Sequence, residues 1–215
     1  MNLDVKWLGR IDYEKALAMQ EEIVRGKTGT DAPDVLLLLE HEPVYTIGRT
    51  PDQSSLREAA KLPHPVVQIN RGGQATYHGP GQLVGYPILD LKKYGQDLHL
   101  YLRALEEILI EGLRGRGING GRREGLTGVW VGPRKIASIG VGVRHWISMH
   151  GFALNVCGDL APFREIIPCG IAGVEMTSVE REGGRAARVE ELARDISTSF
   201  KQNLERLLPA PAVRP

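Results

Sequence analysis

The sequence lacks the features that would mark a membrane protein or a disulfide-rich protein. Its longest purely apolar run, Val35 to Leu39, is far shorter than the roughly 20 residues of a membrane span. No apolar signal segment follows the N-terminus, and two cysteines in 215 residues do not form a disulfide framework. The 27 basic residues nearly balance the 26 acidic ones, so the overall charge does not favour nucleic acid. These absences predict a soluble, cytoplasmic protein with reduced thiols.

Motifs for metal, nucleotide and serine-hydrolase chemistry are also missing. Neither H-E-x-x-H nor paired C-x-x-C occurs, and His145 and His150 stand five positions apart without further ligands nearby. The chain has no G-x-x-x-x-G-K-[ST] loop and no G-x-S-x-G turn. We therefore expect no metal and no nucleotide cofactor.

The hydrophobic pattern predicts one α+β domain with a mixed β-sheet and flanking helices, over residues 1–208. Asp12 and Asp97 are expected to cap the first two of three helices, and the third covers about Val189 to Leu207. Val35 to Leu39 reads as a strand buried on both faces. Pro87 within Leu83 to Leu91 predicts an edge or bulged strand. The Pro- and Ala-rich segment 209–215 is expected to be a flexible tail.

The densest candidate for a functional site is the glycine-rich segment from Asn70 to Gly81, which we expect to be a loop. Its glycines let the backbone pass close to a ligand. A plain turn between strands explains the glycines equally well, but not the chemically active side chains interleaved with them. The segment of interest reads Arg71, Gly72, Gly73, Gln74, Ala75, Thr76, Tyr77 and His78.

Two further positions are candidates for chemistry. Cys169 lies between Pro168 and Gly170, which would expose its sulfur at the end of an apolar segment. A lone cysteine is more often a small buried hydrophobe, and that is our interpretation of Cys157, at the end of a predicted strand. Lys135 opens an otherwise apolar strand, where most lysines are simply solvated.

Together these segments resemble the lipoyl(octanoyl) transferase family, lipoate biosynthesis protein B. The similarity extends from about Val35 to Glu180 and has no missing element. Its motifs, in family order, are Arg71-Gly72-Gly73, Thr76 to Gln82, Gly128-Val129-Trp130, Lys135-Ile136-Ala137, His150-Gly151, Leu154-Asn155 and Pro168-Cys169-Gly170.

The resemblance implies a fold related to the catalytic domains of biotin protein ligases and lipoate ligases. It implies an acyl-enzyme on Cys169, assisted by Lys135. The donor would be octanoyl-acyl carrier protein, and the acceptors would be lipoyl domains of 2-oxoacid dehydrogenases and the glycine cleavage H protein. The acyl chain would lie among Arg71 to His78, Ser138, Ile139, Gly140, Gly151, Phe152 and Ala153. Tyr77, Ile139 and Phe152 are candidates for its apolar lining, and a role in the core explains Ile139 and Phe152 equally well.

This implied chemistry is physically consistent. A free thiol of pKa ~8.5 is only about 3% thiolate at pH 7, and a cation about 4 Å away favours the thiolate by ~4 kcal/mol at an effective dielectric of ~20. Because both protein partners are typically acidic, we expect a positive rim near the site, with Arg49, Arg144 and Arg164 as candidates. The alternatives are an ATP-dependent lipoate or biotin ligase, a lipoyl amidotransferase, and a non-catalytic acyl-protein binding module.

Overall fold

The computed structural model describes residues 3–184 and 188–209, which form two β-sheets and three α-helices. The helices are α1 (Tyr13–Lys27), α2 (Leu98–Arg114) and α3 (Val189–Leu207). The strands are β1 (Leu3–Ile11), β2 (Asp34–His41), β3 (Val44–Ile47), β4 (Val66–Gln68), β5 (Thr76–His78), β6 (Gln82–Ile88), β7 (Gly121–Arg123), β8 (Leu126–Val131), β9 (Arg134–Arg144) and β10 (Ile147–Asn155).

The larger sheet has seven strands in the order β1-β2-β6-β10-β9-β8-β7. β1 pairs with β2 in parallel, and every other neighbouring pair in this sheet is antiparallel. The predicted α+β fold with a mixed sheet is therefore confirmed. The structure adds a second sheet of three strands, β4-β3-β5, which the sequence pattern did not separate from the first.

The prediction of an edge or bulged strand around Pro87 is wrong, since β6 is not at an edge and its pairing with β2 and β10 shows no register shift. Strand β6 lies in the middle of the large sheet, between β2 and β10. Its regular pairing with β10 covers only Gln82 to Gly85, so Pro87 lies beyond this ladder and interrupts no bond in it. The carbonyl of Pro87 instead accepts a hydrogen bond from the Ser148 hydroxyl at 2.8 Å, and that hydroxyl also accepts the N–H of Leu89.

Helices cover both faces of the large sheet. α1 packs on one face against β6 and β10, and α2 and α3 pack together on the other. Strand β2 shows why: Leu36 and Leu38 belong to the core under α2 and α3, whereas Leu37 and Leu39 belong to the core under α1. The prediction that this strand is buried on both faces is confirmed.

The helix ends follow the predicted capping. The Asp12 side chain accepts the N–H of Lys15 at 3.1 Å, and the Asp97 side chain accepts the N–H of Leu100 at 2.9 Å. α3 turns one apolar face to the core through four residues that are completely buried: Leu192, Ile196, Phe200 and Leu204.

The glycine-rich segment is not a loop throughout, because Thr76 to His78 form β5 and pair with β3. The sequence prediction missed this strand because three residues are too few to show a period.

None of the helices in the described part of the chain combines the length and the apolar character of a membrane span. Of the tail predicted from 209 onward, residues 210–215 lie outside the described residues, and its flexibility stays a prediction.

Candidate active site

Cys169 lies in a tight turn, Pro168–Gly170, at the edge of a cavity. Its φ of 57° lies in the left-handed region, which is uncommon for a residue other than glycine and is often found at functional sites. The turn is anchored by the Cys169 N–H, which donates to the Ala75 carbonyl at 2.8 Å. Gly170 has a positive φ, and a Cβ there would lie only 2.7 Å from Gln74 Cγ. The turn thus packs directly on the glycine-rich segment.

Lys135 brings its ammonium group to this sulfur. The side chain is 1% exposed, and its Nζ donates to Cys169 Sγ at 3.4 Å and to the Thr127 carbonyl at 3.0 Å. Among the described residues it forms no ion pair with a carboxylate. Gly128 makes room for the lysine, since a Cβ there would lie 2.7 Å from Lys135 Cε. The buried ammonium of Lys135 and the Cys169 sulfur are therefore in direct contact.

Two more side chains shape the immediate surroundings of the pair. The Ser138 hydroxyl lies 3.5 Å from Cys169 Sγ and is positioned to hydrogen-bond with it. The Lys135 ammonium lies 5.3 Å from the centre of the Trp130 ring, within range of a cation–π contact. Trp130 lies on β8, and Ser138 and Lys135 lie on β9, so these two strands position Lys135 against Cys169. Lys135 and Cys169 are called the dyad below.

A cavity of about 440 Å³, within the usual size of ligand sites, adjoins the dyad. Of the predicted acyl-binding residues, Ala75 and Tyr77 do not line it. Their side chains pack in a separate cluster, where the Tyr77 ring meets Phe163 edge to face at 5.6 Å. Phe152 reaches the cavity wall while its ring stacks on Phe200. The other predicted residues line the cavity: Arg71, Gly72, Gly73, Gln74, Thr76, His78, Ser138, Ile139, Gly140, Gly151 and Ala153.

The floor of this cavity holds a buried cation, Arg71. Its guanidinium donates only to neutral oxygens: the carbonyls of Gly72, Thr46 and Gln74, and the Thr46 hydroxyl. Burial lowers the pKa of Arg71, while nearby Tyr13 and Cys169 act in the opposite direction. These bonds fold the glycine-rich segment around the guanidinium and hold its backbone against β3.

Beside Arg71 lies a cluster of histidine and tyrosine rings that the sequence did not predict as a group. Burial lowers the pKa of His41 and His150 to about 4 and that of His78 to about 3, so all three rings are neutral near pH 7. Burial also raises the pKa of Tyr13 to about 12. The Tyr86 hydroxyl lies 2.6 Å from His41 Nε2. Only His78 and His150 stood in motifs of the family resemblance; His41, Tyr13 and Tyr86 gave no local signal.

Free backbone amides lie in the glycine-rich segment and not around Gly170. The N–H groups of Gly170 and Ile171 donate to Ile167 and Pro168 carbonyls. In contrast, those of Gly73 and Gln74 donate to no atom of the described residues. These two are therefore the amides available to a developing oxyanion.

Cys157 has a different environment from Cys169. It is half-buried, does not line the cavity, and its backbone N–H donates to the Gly81 carbonyl. Burial, together with Glu180 and Glu40, raises the pKa of this thiol. Among residues 3–184 and 188–209, no group of three histidine, cysteine or acidic side chains is arranged to hold a metal ion.

Comparison with known proteins shows the family of this chain. The family model described as the lipoyl protein ligase A/B catalytic domain matches residues 12–201. The chain is 51% identical to the octanoyltransferase of Geobacter sulfurreducens, over 90% of this chain and 81% of that protein. It is 48% identical to the octanoyltransferase of Syntrophotalea carbinolica, over 96% of this chain and 97% of that protein. The chain belongs to the octanoyltransferases of this family. As such it is an acyltransferase, and octanoyl transfer in lipoylation is its function.

Solved structures place these octanoyltransferases in a wider fold group. A chain from the lipoylation system of Thermoplasma acidophilum, a bi-partite lipoate protein ligase and its E2 lipoyl domain, superposes with a TM-score of 0.76 at 17% identity, covering 95% of this chain and 84% of that one. The biotin protein ligase of Aquifex aeolicus, in complex with biotin and ATP, superposes with a TM-score of 0.59 at 13% identity, covering 95% and 72%. At such identities the likeness shows a shared fold, as expected from the sequence.

Proposed function

We propose that this octanoyltransferase works through an octanoyl thioester on Cys169, with Lys135 moving the protons. The observation that carries the proposal is the 3.4 Å contact between Lys135 Nζ and Cys169 Sγ at the edge of the cavity. The donor is octanoyl-acyl carrier protein. The acceptor is the target lysine of a lipoyl domain in a 2-oxoacid dehydrogenase or in the glycine cleavage H protein.

In the first half-reaction the Cys169 thiolate attacks the donor's thioester carbonyl. The new C–S bond forms, the tetrahedral intermediate collapses, and the bond to the donor sulfur breaks. The donor leaves as a thiol after taking a proton from the Lys135 ammonium, whose Nζ lies 3.4 Å from the attacking sulfur of Cys169. Because the product thioester carries no charge, the amine of Lys135 remains neutral beside it.

The second half-reaction uses that neutral amine as the general base. A lysine with an ordinary pKa near 10.4 is protonated at neutral pH and must lose a proton to attack. The acceptor lysine releases this first proton to solvent and attacks as the free amine. Lys135 then accepts the second proton, from the nitrogen of the tetrahedral intermediate, as the amide bond forms and the Cys169 thiolate is expelled. The original ion pair is thereby restored without ATP, since the donor thioester is already activated.

Each tetrahedral intermediate needs donors for its oxyanion. The N–H groups of Gly73 and Gln74 suit this role because neither has a protein acceptor and both residues line the same cavity as Cys169. Loss of one such donor typically costs about 10²–10³ in rate.

The surface around a second cavity suits an acidic protein partner. This cavity adjoins the Cys169 turn through Pro168 and Ile171. Arg57, Arg164 and Arg181 line it, and none of the three forms an ion pair within the described part of the chain. Of the arginines expected from the sequence, Arg164 is thus at this position, whereas Arg49 and Arg144 line neither cavity.

The test is the intact mass of the protein after mixing with octanoyl-acyl carrier protein, followed by peptide mapping. We expect one octanoyl adduct on Cys169 that disappears when a lipoyl domain is added. Cys169→Ala should show no adduct, whereas Cys157→Ala, the matched control, should be acylated like the parent. Transfer from free octanoate that requires ATP and survives Cys169→Ala would instead indicate an adenylate-forming ligase and refute the proposal.

A further inference from the structure

His150 has an unusual conformation in the middle of strand β10. Its φ is +58°, in the left-handed region that residues other than glycine seldom adopt within strands. Its backbone N–H donates to the side-chain oxygen of Gln20 in α1, at 2.8 Å, and not to a neighbouring strand. The regular ladder between β6 and β10 includes Phe152 but does not reach His150.

This conformation places the ring beside the α1 side of the sheet. In a regular strand, residues two apart share a face, so His150 would point the same way as Ser148 and Phe152. Phe152 packs in the core under α2 and α3, but the His150 ring meets Tyr86, which packs under α1, edge to face at 6.4 Å. A Cβ at Gly142 would lie 3.2 Å from its Cδ2.

The ring forms part of the cavity wall and has no hydrogen bond of its own. His150 is 2% exposed, and neither Nδ1 nor Nε2 has a hydrogen-bond partner among the described residues. Burial and the nearby Arg71 guanidinium lower its pKa to about 4, against the opposite effect of a backbone contact with Asn70, so the ring is neutral and its nitrogens lack a well-formed hydrogen bond. Such a surface is unfavourable for methylene groups to cover.

The ring stands at a defined distance from the nucleophile. Cys169 Sγ lies beside Ser138, and His150 pairs with Val141, three residues further along β9. At ~3.3 Å per residue this separation is about 10 Å, close to the length of an extended eight-carbon chain. Between them Gly140 pairs with Gly151, so no side chain projects from this rung of the sheet.

We propose that His150 is the end wall of the acyl site and determines which chain length the enzyme transfers. The inference rests on the proposed function, since it takes Cys169 as the acylated residue. An octanoyl chain that starts at Cys169 and follows the glycine rung ends at the His150 ring. A longer chain must press its last carbons against the ring and its unpaired nitrogens, whereas a shorter one leaves the wall untouched.

His150→Gly tests this wall with little change to the backbone, because glycine adopts a φ of +58° freely. His145→Gly is the matched control: it is also a histidine with positive φ, at 53°, in the turn after β9, but it is exposed and does not line the cavity. The measurement is the initial rate of Cys169 acylation, by intact mass, with acyl carrier proteins bearing six, eight, ten or twelve carbons.

We expect the parent protein and His145→Gly to prefer eight carbons. In His150→Gly the rate with ten or twelve carbons relative to eight should rise about tenfold or more, the usual scale of discrimination between chains in an apolar pocket. His150→Asn, which tolerates a left-handed φ and has a smaller side chain, should show an intermediate rise and serves if the glycine variant does not fold.

The outcomes separate the two proposals. An octanoyl adduct on the parent protein, with unchanged chain-length ratios in His150→Gly and His150→Asn, would overturn the end wall and leave the acyl-enzyme intact. A parent protein that takes no acyl group from any of the donors would overturn the proposed function itself.

Discussion

The Nζ atom of Lys135 lies 3.4 Å from the Sγ atom of Cys169, although 34 positions separate the two residues in the chain. Lys135 opens strand β9, and Cys169 lies in a turn that is tied to the glycine-rich segment. The segment that follows the turn is joined to Lys135 itself, whose N–H donates to the Glu175 carbonyl and whose carbonyl accepts the N–H of Thr177. Backbone hydrogen bonds therefore fix Lys135 through both its N–H and its carbonyl, and fix Cys169 through its N–H.

Replacing Lys135 should make Cys169 less reactive. In Lys135→Met, which keeps most of the buried volume, Cys169 Sγ loses the ammonium that lies 3.4 Å away. We expect the rate of Cys169 alkylation by iodoacetamide at pH 7 to fall about tenfold or more, and its pH profile to move to higher pH. The measurement is peptide mass spectrometry over time, with Cys157 in the same sample as the internal control. An unchanged profile at Cys169 would remove the electrostatic role of Lys135.

Charge reversal at the second cavity should weaken the reaction with the donor. Arg164→Glu combined with Arg181→Glu places two negative charges beside the Cys169 turn, where an acidic carrier protein would approach. We expect kcat/KM for octanoyl-acyl carrier protein to fall about tenfold at low salt, and by less as salt screens the charges. Arg144→Glu lies on neither cavity and is the control. If Arg144→Glu lowered kcat/KM as much as the Arg164→Glu/Arg181→Glu double variant, the result would argue against a docking surface at this cavity.

Asp34 should be one of the most important polar residues for stability. Its buried carboxylate accepts hydrogen bonds from Lys27 Nζ, the Asp90 N–H and the Tyr94 hydroxyl, all within 2.9 Å. Asp34→Ala leaves the buried ammonium of Lys27 with two carbonyl acceptors but without its carboxylate, and the free energy of unfolding should fall by ~3–5 kcal/mol. Glu58→Ala, which breaks an exposed pair with Lys61, should cost less than ~1 kcal/mol. Urea denaturation of both variants measures the difference.

The protein should lose stability in mild acid because of its buried histidines. Burial lowers the pKa of His41 from 6.5 to about 4 and that of His78 to about 3, so the unfolded chain binds more protons than the folded one below about pH 6.5. The free energy of unfolding therefore falls as the pH is lowered through 6.5 towards 4, by ~1.4 kcal/mol per pH unit for each such histidine.

This pH dependence can be assigned to a single residue. His41→Gln should reduce the slope near pH 5 by about 1.4 kcal/mol per pH unit, because one buried imidazole no longer titrates. Exposed His99→Gln is the control, and its slope should match that of the parent. Urea denaturation at pH 5, 6 and 7 provides the slopes; an identical slope in His41→Gln would show that this ring is not kept neutral by the fold.

The elements that depend on local chemistry could be predicted from the order of residues alone. Asp12 and Asp97 cap helices because each side-chain oxygen accepts the backbone N–H of the residue three positions later. The buried face of α3 follows from the helical spacing of its apolar residues. The ordered motifs around Arg71, Lys135 and Cys169 sufficed for the family. The α+β class followed from the succession of helices and strands.

Contacts between groups far apart in the chain became visible in the folded structure. Pro87 suggested an edge or bulged strand, yet β6 is central: its ladder with β10 ends at Gly85, and the Ser148 hydroxyl of another strand donates to the Pro87 carbonyl. The unpaired ring of His150 follows from a left-handed φ and a contact with Gln20, 130 positions away. Such relationships depend on how β6, β9, β10 and α1 pack in space. Because they arise between segments far apart in the chain, no local pattern of residues encodes them.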